Sequence, residues 1–192
     1  YTTSGGHISE QTLGEAMIMS RQVGPAYDLL YEAMTADQRR HIRDGLIQPM
    51  LENIAKHNCG KSNWQTWHNA AMIVGGAAIA ERSWVQRAIS DENHGFFHQM
   101  NVSVTDDGMW YENSWGHHFY TLMAMVEIVE AARRLDIDLW SHPRLKRMFT
   151  LPARYAMPGG ALPRFGDDVN SSIRRAARLS EAAYHALEDP AL

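Results

Sequence analysis

Apolar residues recur along this chain at helical spacing almost from one end to the other. Between Thr35 and Asn58, Ile42, Leu46, Met50 and Ile54 each follow the last by four positions, the period that stacks side chains on one face of an α-helix. Thr35 with Gln38 three residues on has the form of a capping box. Pro49, which lacks a backbone N–H and crowds the preceding turn, predicts a kink or a split inside that helix. Upstream, Ser9 to Met34 carries Leu13, Met17, Val23, Leu29 and Leu30, and Gly24-Pro25 interrupts it, so one broken or two short helices are expected. Asn63 to Ala80 opens on polar groups and turns small and apolar, and Gly75-Gly76 with several alanines invites close approach of a neighbouring helix. It reads as an inner, buried helix.

Further helices are predicted from Ser83 to about Gln99, from His117 to Leu135 with Leu122, Val126 and Val129 on one face, and from Ser171 to Leu187. Pro143 suits the first turn of another, running toward Tyr155. Strand character is confined to a brief alternation over Asn101 to Thr105. The connections Asn58 to Ser62, Val104 to Ser114 and Pro158 to Asp168 each hold glycine among polar residues. The prediction is an all-α protein of helical hairpins without a fixed-period repeat.

Composition narrows the class. At 192 residues and 45% hydrophobic content, the chain is long enough for one sizeable core, and a single domain over 1–192 is expected. The net charge of −4 and the absence of a long lysine or arginine run argue against nucleic acid as a partner. The pairs Arg39-Arg40, Arg133-Arg134 and Arg174-Arg175 read as solvated helix faces. No apolar run approaches the roughly 20 residues of a spanning helix, so no membrane partner is expected. Cys59 is the only cysteine, which excludes an intrachain disulfide and a thiolate metal cage. The chain starts at Tyr1 with no leader pattern and is expected to be a piece of something longer.

Candidate chemistry lies at two helix starts. One is Asn63-Trp64-Gln65-Thr66-Trp67-His68-Asn69; the other runs from Asp107-Gly108 through Trp110, Tyr111, Glu112, Asn113, Ser114 and Trp115 to His117-His118-Phe119-Tyr120. Indole rings stack on pyranose faces, amides fix hydroxyls and carboxylates, and imidazole or phenol groups move protons. That mixture suits a carbohydrate-processing cleft. Each part also has a plainer reading: Asn63 as a helix cap, His68 as a satisfied core histidine, the aromatics as core. His117 and Tyr120 share a face one turn apart, whereas His117 and His118 point about 100° apart. No His-Glu-x-x-His motif is present, so no metal is expected. In Leu162-Pro163-Arg164-Phe165-Gly166-Asp167-Asp168, Arg164 either forks onto a carboxylate ligand or pairs with an aspartate that caps the next helix. No glycine-rich phosphate loop is present, so neither nucleotide nor redox cofactor is expected.

In order and spacing, these three motifs resemble the heparinase II/III-like polysaccharide lyases, most closely the oligoalginate lyases. The resemblance covers about His57 to Asp168. It implies an (α/α) toroid, followed in that family by an antiparallel β-sheet domain to which no segment here corresponds. It also implies β-elimination on an acidic oligosaccharide or polysaccharide. A base takes the C5 proton of a uronate, an acid protonates the departing glycosidic oxygen, and polar groups stabilise the carboxylate as it becomes enolate-like. Asn63 matches the asparagine that neutralises that carboxylate, and His68 falls where the family also places a histidine. Arg164 matches a substrate-carboxylate contact. Trp64, Trp67, Trp110 and Trp115 are the stacking candidates, with His118 beside them. The family has tyrosine-histidine where this chain has His117-His118, so His117 is expected to take the tyrosine's role, with Tyr120 as a substitute donor. The competing readings are a non-catalytic binder of acidic carbohydrate, a glycosaminoglycan lyase, a helical scaffold for protein partners, and a hydrolase using Asp107 with Glu112.

Overall fold

The structure, a computed structural model, describes residues 12–168 and 171–188. The predicted start of the first helix at Ser9 lies outside the described residues. The fold is all-α. Strand pairing among the described residues is limited to a two-residue antiparallel ladder, Ala161–Leu162 (β1) with Ser171–Ser172 (β2), and an isolated bridge between Val104 and Trp110. The chain divides into two compact units, Tyr1–His98 and Gln99–Leu192.

In the first unit the helices are α1 (Leu13–Ile18), α2 (Gly24–Leu30), α3 (Ala36–Ile42), α4 (Gln48–Lys56), α5 (Asn63–Ala78) and α6 (Arg82–Ser90). The predicted breaks at Gly24-Pro25 and Pro49 take one form. A single π-helical turn, Met19–Val23 before α2 and Arg43–Ile47 before α4, carries the helix forward, and each proline falls in the first turn that follows. The carbonyl four residues before each proline, on Arg21 or Gly45, lies within the π turn. Widening the helix there gives the pyrrolidine ring room without ending the run. The capping box forms as expected: Gln38 N–H donates to Thr35 Oγ1 at 3.2 Å and Thr35 N–H to Gln38 Oε1 at 2.8 Å.

Helix α5 is the centre of this unit, packed by α1, α2, α4 and α6. Its N-cap is Ser62, whose Oγ accepts from the Trp64 N–H at 3.0 Å, so Asn63 is the first helical residue rather than the cap. Small residues let the neighbours come close. A Cβ on Gly76 would lie 2.5 Å from the Trp84 Cβ of α6, and one on Gly75 2.9 Å from Leu51 of α4. The core is filled by Ala16, Met19, Ile47, Leu51, Ile54, Ala70, Ala71 and Ile73, all fully buried.

The helix predicted over Ser83 to Gln99 is instead two, α6 and α7 (Phe96–Val102). Asp91 breaks it. Its Oδ1 accepts from the N–H groups of Asn93 and His94, at 3.0 and 2.9 Å, which offers the backbone a turn in place of helix. The division between the units falls inside α7, which also takes up part of the stretch Asn101 to Thr105 read as strand-like.

The second unit is built on α8 (Trp115–Arg133), α9 (Pro143–Tyr155) and α10 (Ala177–Leu187). Helix α8 is buried on most of its circumference and apolar nearly all round, as a central helix must be. Pro143 opens α9 as predicted. The last predicted helix begins later than expected: Ser171 and Ser172 form β2, Ile173–Ala176 make a tight turn, and only then does α10 start. Among the described residues no helix is long and apolar enough to cross a membrane.

Candidate functional site

In the second unit the chemistry gathers at the N-terminus of α8. Ser114 is the N-cap, in extended conformation, and its Oγ accepts from the His117 N–H. The exposed backbone donors of the first turn receive the buried carboxylate of Asp168. Its Oδ2 accepts from the Trp115 N–H at 2.6 Å, and its Oδ1 accepts from the Gly116 N–H at 2.9 Å and the Ser114 hydroxyl at 3.0 Å. A helix N-terminus favours such an anion electrostatically as well as by hydrogen bonding. One of the two sequence readings had an aspartate here cap the following helix; Asp168 instead caps the preceding one. Trp115 Nε1–H adds a bond to the Pro163 carbonyl at 2.9 Å, so the loop from Pro163 to Asp168 is fastened to α8 at both ends. Gly166 completes the fit. Its φ is +51°, and a Cβ there would meet the Asn113 carbonyl at 2.6 Å, so only glycine lets the two loops touch.

This fastening brings Asp167 to His117. His117 Nε2 lies 3.2 Å from Asp167 Oδ2, and His117 Nδ1 lies 3.1 Å from Glu112 Oε1. Glu112 is in turn held by the Trp110 indole N–H on its other oxygen. The Asp167 carboxyl is held below its ordinary range by the Ser114 hydroxyl first and by His117 second. The imidazole is about one-third exposed, so it is bracketed by two carboxylates yet open to solvent. Sequence reasoning named His117 but not these partners, although both carboxylates stand in the motifs it singled out.

His118, one residue on, points inward. It is fully buried; Nδ1 accepts from the Trp110 N–H at 3.2 Å and Nε2 donates to the Met148 carbonyl at 3.0 Å. Burial pushes its pKa down to about 4, against the smaller raising effects of the Met148 carbonyl and Asp107. The Met148 carbonyl has a reason to need a donor. Pro152, four residues on inside α9, has no N–H to give it.

Beside this cluster lies a hollow of about 550 Å³, lined among others by Thr105, Asp107, Tyr111, Asn113, Tyr155 and Phe165. Trp110 and Trp115 border it but are fully buried. Trp115 is the hub of an aromatic cluster, with ring centroids 5.6 to 6.0 Å from His118, Tyr155, Phe165 and Phe119. The rings that offer surface are Tyr111, Tyr155 and Phe165; Tyr111 and Phe165 stand in the sequence motifs but were not among the stacking candidates, and Tyr155 was outside them. Arg164 is exposed, its Nε donating to the Asp168 carbonyl at 3.1 Å rather than to an aspartate side chain. Tyr120 is half-buried one turn after His117.

In the first unit the polar start of α5 is buried. Gln65 Oε1 accepts from the Cys59 N–H at 2.8 Å, Gln65 Nε2 donates to Asn69 Oδ1 at 3.1 Å, and Asn69 Nδ2 donates to the His94 carbonyl at 2.7 Å. This relay pins the loop before α5 and the turn after α6 onto the helix. His68 is fully buried, its Nε2 2.6 Å from the Thr12 hydroxyl, and Cys59 Sγ is 3.8 Å from its Nδ1. Burial first, then His57, lowers its pKa to about 4. Asn63 is 5% exposed. Trp67 is fully buried with the Arg21 guanidinium 4.6 Å over its ring, whereas Trp64 keeps 40% of its surface. Trp67, Trp110, Trp115 and His118, read as substrate contacts, are therefore core residues. Helical spacing turns Trp67, Trp115 and His118 inward with the apolar positions around them, and Trp110 is held inside by the bridge it forms with Val104. Among the described residues no three His, Cys, Asp or Glu side chains are grouped to hold a metal ion.

A family model described as alginate lyase matches residues 14–161. The chain belongs to the alginate lyase family. The match covers α1 to the start of the β1–β2 ladder and includes His117, Glu112 and the aromatic hollow's lining up to Tyr155. No curated protein matches this alginate lyase family member. Membership carries over the general class of activity, lyase action on polysaccharide; the substrate and the finer kinship are separate questions.

Proposed function

We propose that the protein cleaves a uronate-containing polysaccharide, alginate foremost, by β-elimination, with His117 as the proton-transfer group. The supporting observation is the partly exposed imidazole held between Glu112 and Asp167 at the start of α8. A neutral ring donates to one carboxylate and offers its other nitrogen as a base; the protonated ring donates to both. Each state of a proton-transfer cycle thus keeps a partner, and the ring does not swing away between steps. Nε2, facing the exposed Asp167, is the nitrogen a substrate reaches. Tyr111, Tyr155 and Phe165 supply stacking faces for sugar rings, Asn113 an amide for hydroxyls, and Arg164 a guanidinium for a uronate carboxylate. As the C5 proton leaves, negative charge grows on that carboxylate, so a cation directed at it contributes more in the transition state than in the ground state. The finer kinship proposed is with the heparinase II/III-like, oligoalginate-cleaving lyases, on the three motifs described above, and with it a toroidal arrangement of hairpins.

The test is incubation with alginate, heparan, chondroitin and hyaluronan oligomers, followed by ultraviolet absorbance and product mass. β-Elimination leaves a conjugated C4=C5 double bond and an unsaturated product, greatest with alginate. Saturated products would indicate hydrolysis, and binding without product would indicate a lectin-like role; either outcome rejects the proposal. His117→Ala should lower kcat by about 10² to 10⁴-fold, the usual contribution of a positioned acid or base. Full activity in that variant would remove His117 from the reaction.

A further inference from the structure

The first unit holds a second hollow, also about 550 Å³, between α2, α3 and the C-terminal end of α5. Its lining includes Arg39, Arg40 and Arg43 with Tyr27, Tyr31 and a single acid, Asp28. The sequence suggested a solvated face for Arg39-Arg40, and the Arg40 side chain is 67% exposed; the same face also walls the hollow. The reason is periodicity. Arg39 and Arg43 are four apart and Arg40 and Arg43 three apart, so the end of α3 and the π turn after it carry all three on adjoining faces.

One guanidinium is already set in place. The Arg39 guanidinium lies 4.4 Å over the Tyr31 ring and donates from Nη1 to the Tyr31 carbonyl at 3.2 Å, while the Tyr27 hydroxyl bonds the Arg39 carbonyl at 3.3 Å. Arg40 and Arg43 have nearby aspartates, Asp37 at 2.5 Å and Asp44 at 3.7 Å. Those pairs are more than half exposed on both sides, and exposed pairs exchange partners at little cost. Tyr31 keeps 42% of its surface, which leaves an aromatic face beside the cations. Planar guanidinium forks next to a phenol ring are the chemistry that recognises a carboxylated sugar: fork to carboxylate, ring to pyranose face.

We infer that this arginine-lined hollow is a second binding site for acidic oligosaccharide, which holds a stretch of uronate chain on the first unit. The inference rests on the proposed acidic polysaccharide substrate for its ligand class, but its residues are not those of the proton-transfer cluster, so the two are tested apart. Recognition by several guanidinium groups makes binding weaken with added salt.

The experiment is titration of the full chain, carrying His117→Ala so that the ligand survives, with an alginate hexamer, a neutral oligosaccharide of equal length, and inorganic phosphate. Calorimetry reads affinity, and resonance shifts of Tyr27 and Tyr31 report the site. Arg39→Gln and Arg43→Gln should each weaken hexamer binding about tenfold, the loss typical of one charge-assisted contact. Arg82→Gln, which removes one charge from α6 outside the hollow, should not. Arg43→Lys, which keeps the charge without the fork, guards against loss of fold and should fall between wild type and Arg43→Gln. Hexamer affinity equal in all variants, no shift at Tyr27 or Tyr31, or phosphate competing as well as the hexamer would overturn the inference. Arginine-dependent hexamer binding without any unsaturated product from the wild-type chain would keep it and reject the lyase reading. Unsaturated product with unchanged binding in the variants would do the reverse.

Discussion

His117 and His118 are neighbours in sequence with opposite fates, because 100° of helical rotation points one to the loop carrying Asp167 and the other to the Met148 carbonyl. Only the first is open to solvent and bracketed by carboxylates. Glu112 then becomes a testable positioning residue, since it holds His117 Nδ1 and is itself held by Trp110. Glu112→Gln keeps size and an acceptor while dropping the charge, so kcat should fall about tenfold or more with KM little changed, the scale of one charge-assisted bond. A change confined to KM would place Glu112 in substrate binding instead. The motifs located His117 at a helix start and Arg164 in a loop, because helix-start polar clusters are local patterns; their roles in catalysis and binding are the proposals tested above. Asp167 as a partner of His117 was not legible. Fifty residues separate them, and only the clamp of Asp168 on the first turn of α8, with glycine at 166, closes that distance.

At the scale of elements, periodicity and caps located most helices, and proline positions forecast where regularity fails, but not how. Pro25 and Pro49 are absorbed by π turns; Pro152 stays within α9 and its orphaned carbonyl is satisfied from α8 by His118. A widened turn or a donor from a distant helix leaves no local signature, so the sequence reading of a kink or split was too coarse. The His118–Pro152 pairing is testable by a double-mutant cycle. His118→Ala leaves the Met148 carbonyl without its donor, whereas Pro152→Ala gives that carbonyl a backbone N–H. Removing His118 should therefore cost about 1 to 2 kcal/mol less in the Pro152→Ala background. Additive effects in urea melts would refute the pairing. The Gly75-Gly76 signal was read correctly as a close helix approach, and Gly76→Ala, which drives a methyl to 2.5 Å from the Trp84 Cβ, should destabilise by about 1 to 3 kcal/mol through overpacking.

Across the whole molecule, among the described residues each unit contains one fully buried, neutral imidazole: His68 in the first and His118 in the second, both with pKa lowered from 6.5 to about 4. The sign of the consequence follows from linkage. Below pH 6.5 the unfolded chain takes up protons that the folded rings refuse, so stability is complete above that value and is lost as pH falls from about 6.5 toward 4. A displacement from 6.5 to about 4 corresponds to about 3 kcal/mol per ring. Asp91 and Asp107 act in a lower window: hydrogen bonds hold both below the ordinary value of 3.8 despite partial burial, so their contributions are present above that pH and lost beneath it. Denaturant midpoints measured from pH 7.5 to 4 should thus decline steadily before the carboxylates titrate. In each unit the decline should flatten when the buried histidine there is replaced, by His68→Gln or His118→Gln, even though each variant begins from a lower stability. Local probes in each unit are needed, since two compact units need not unfold as one. Midpoints that hold level down to pH 4 in the wild-type chain would show that both rings gain protons in the folded state as easily as in the unfolded one.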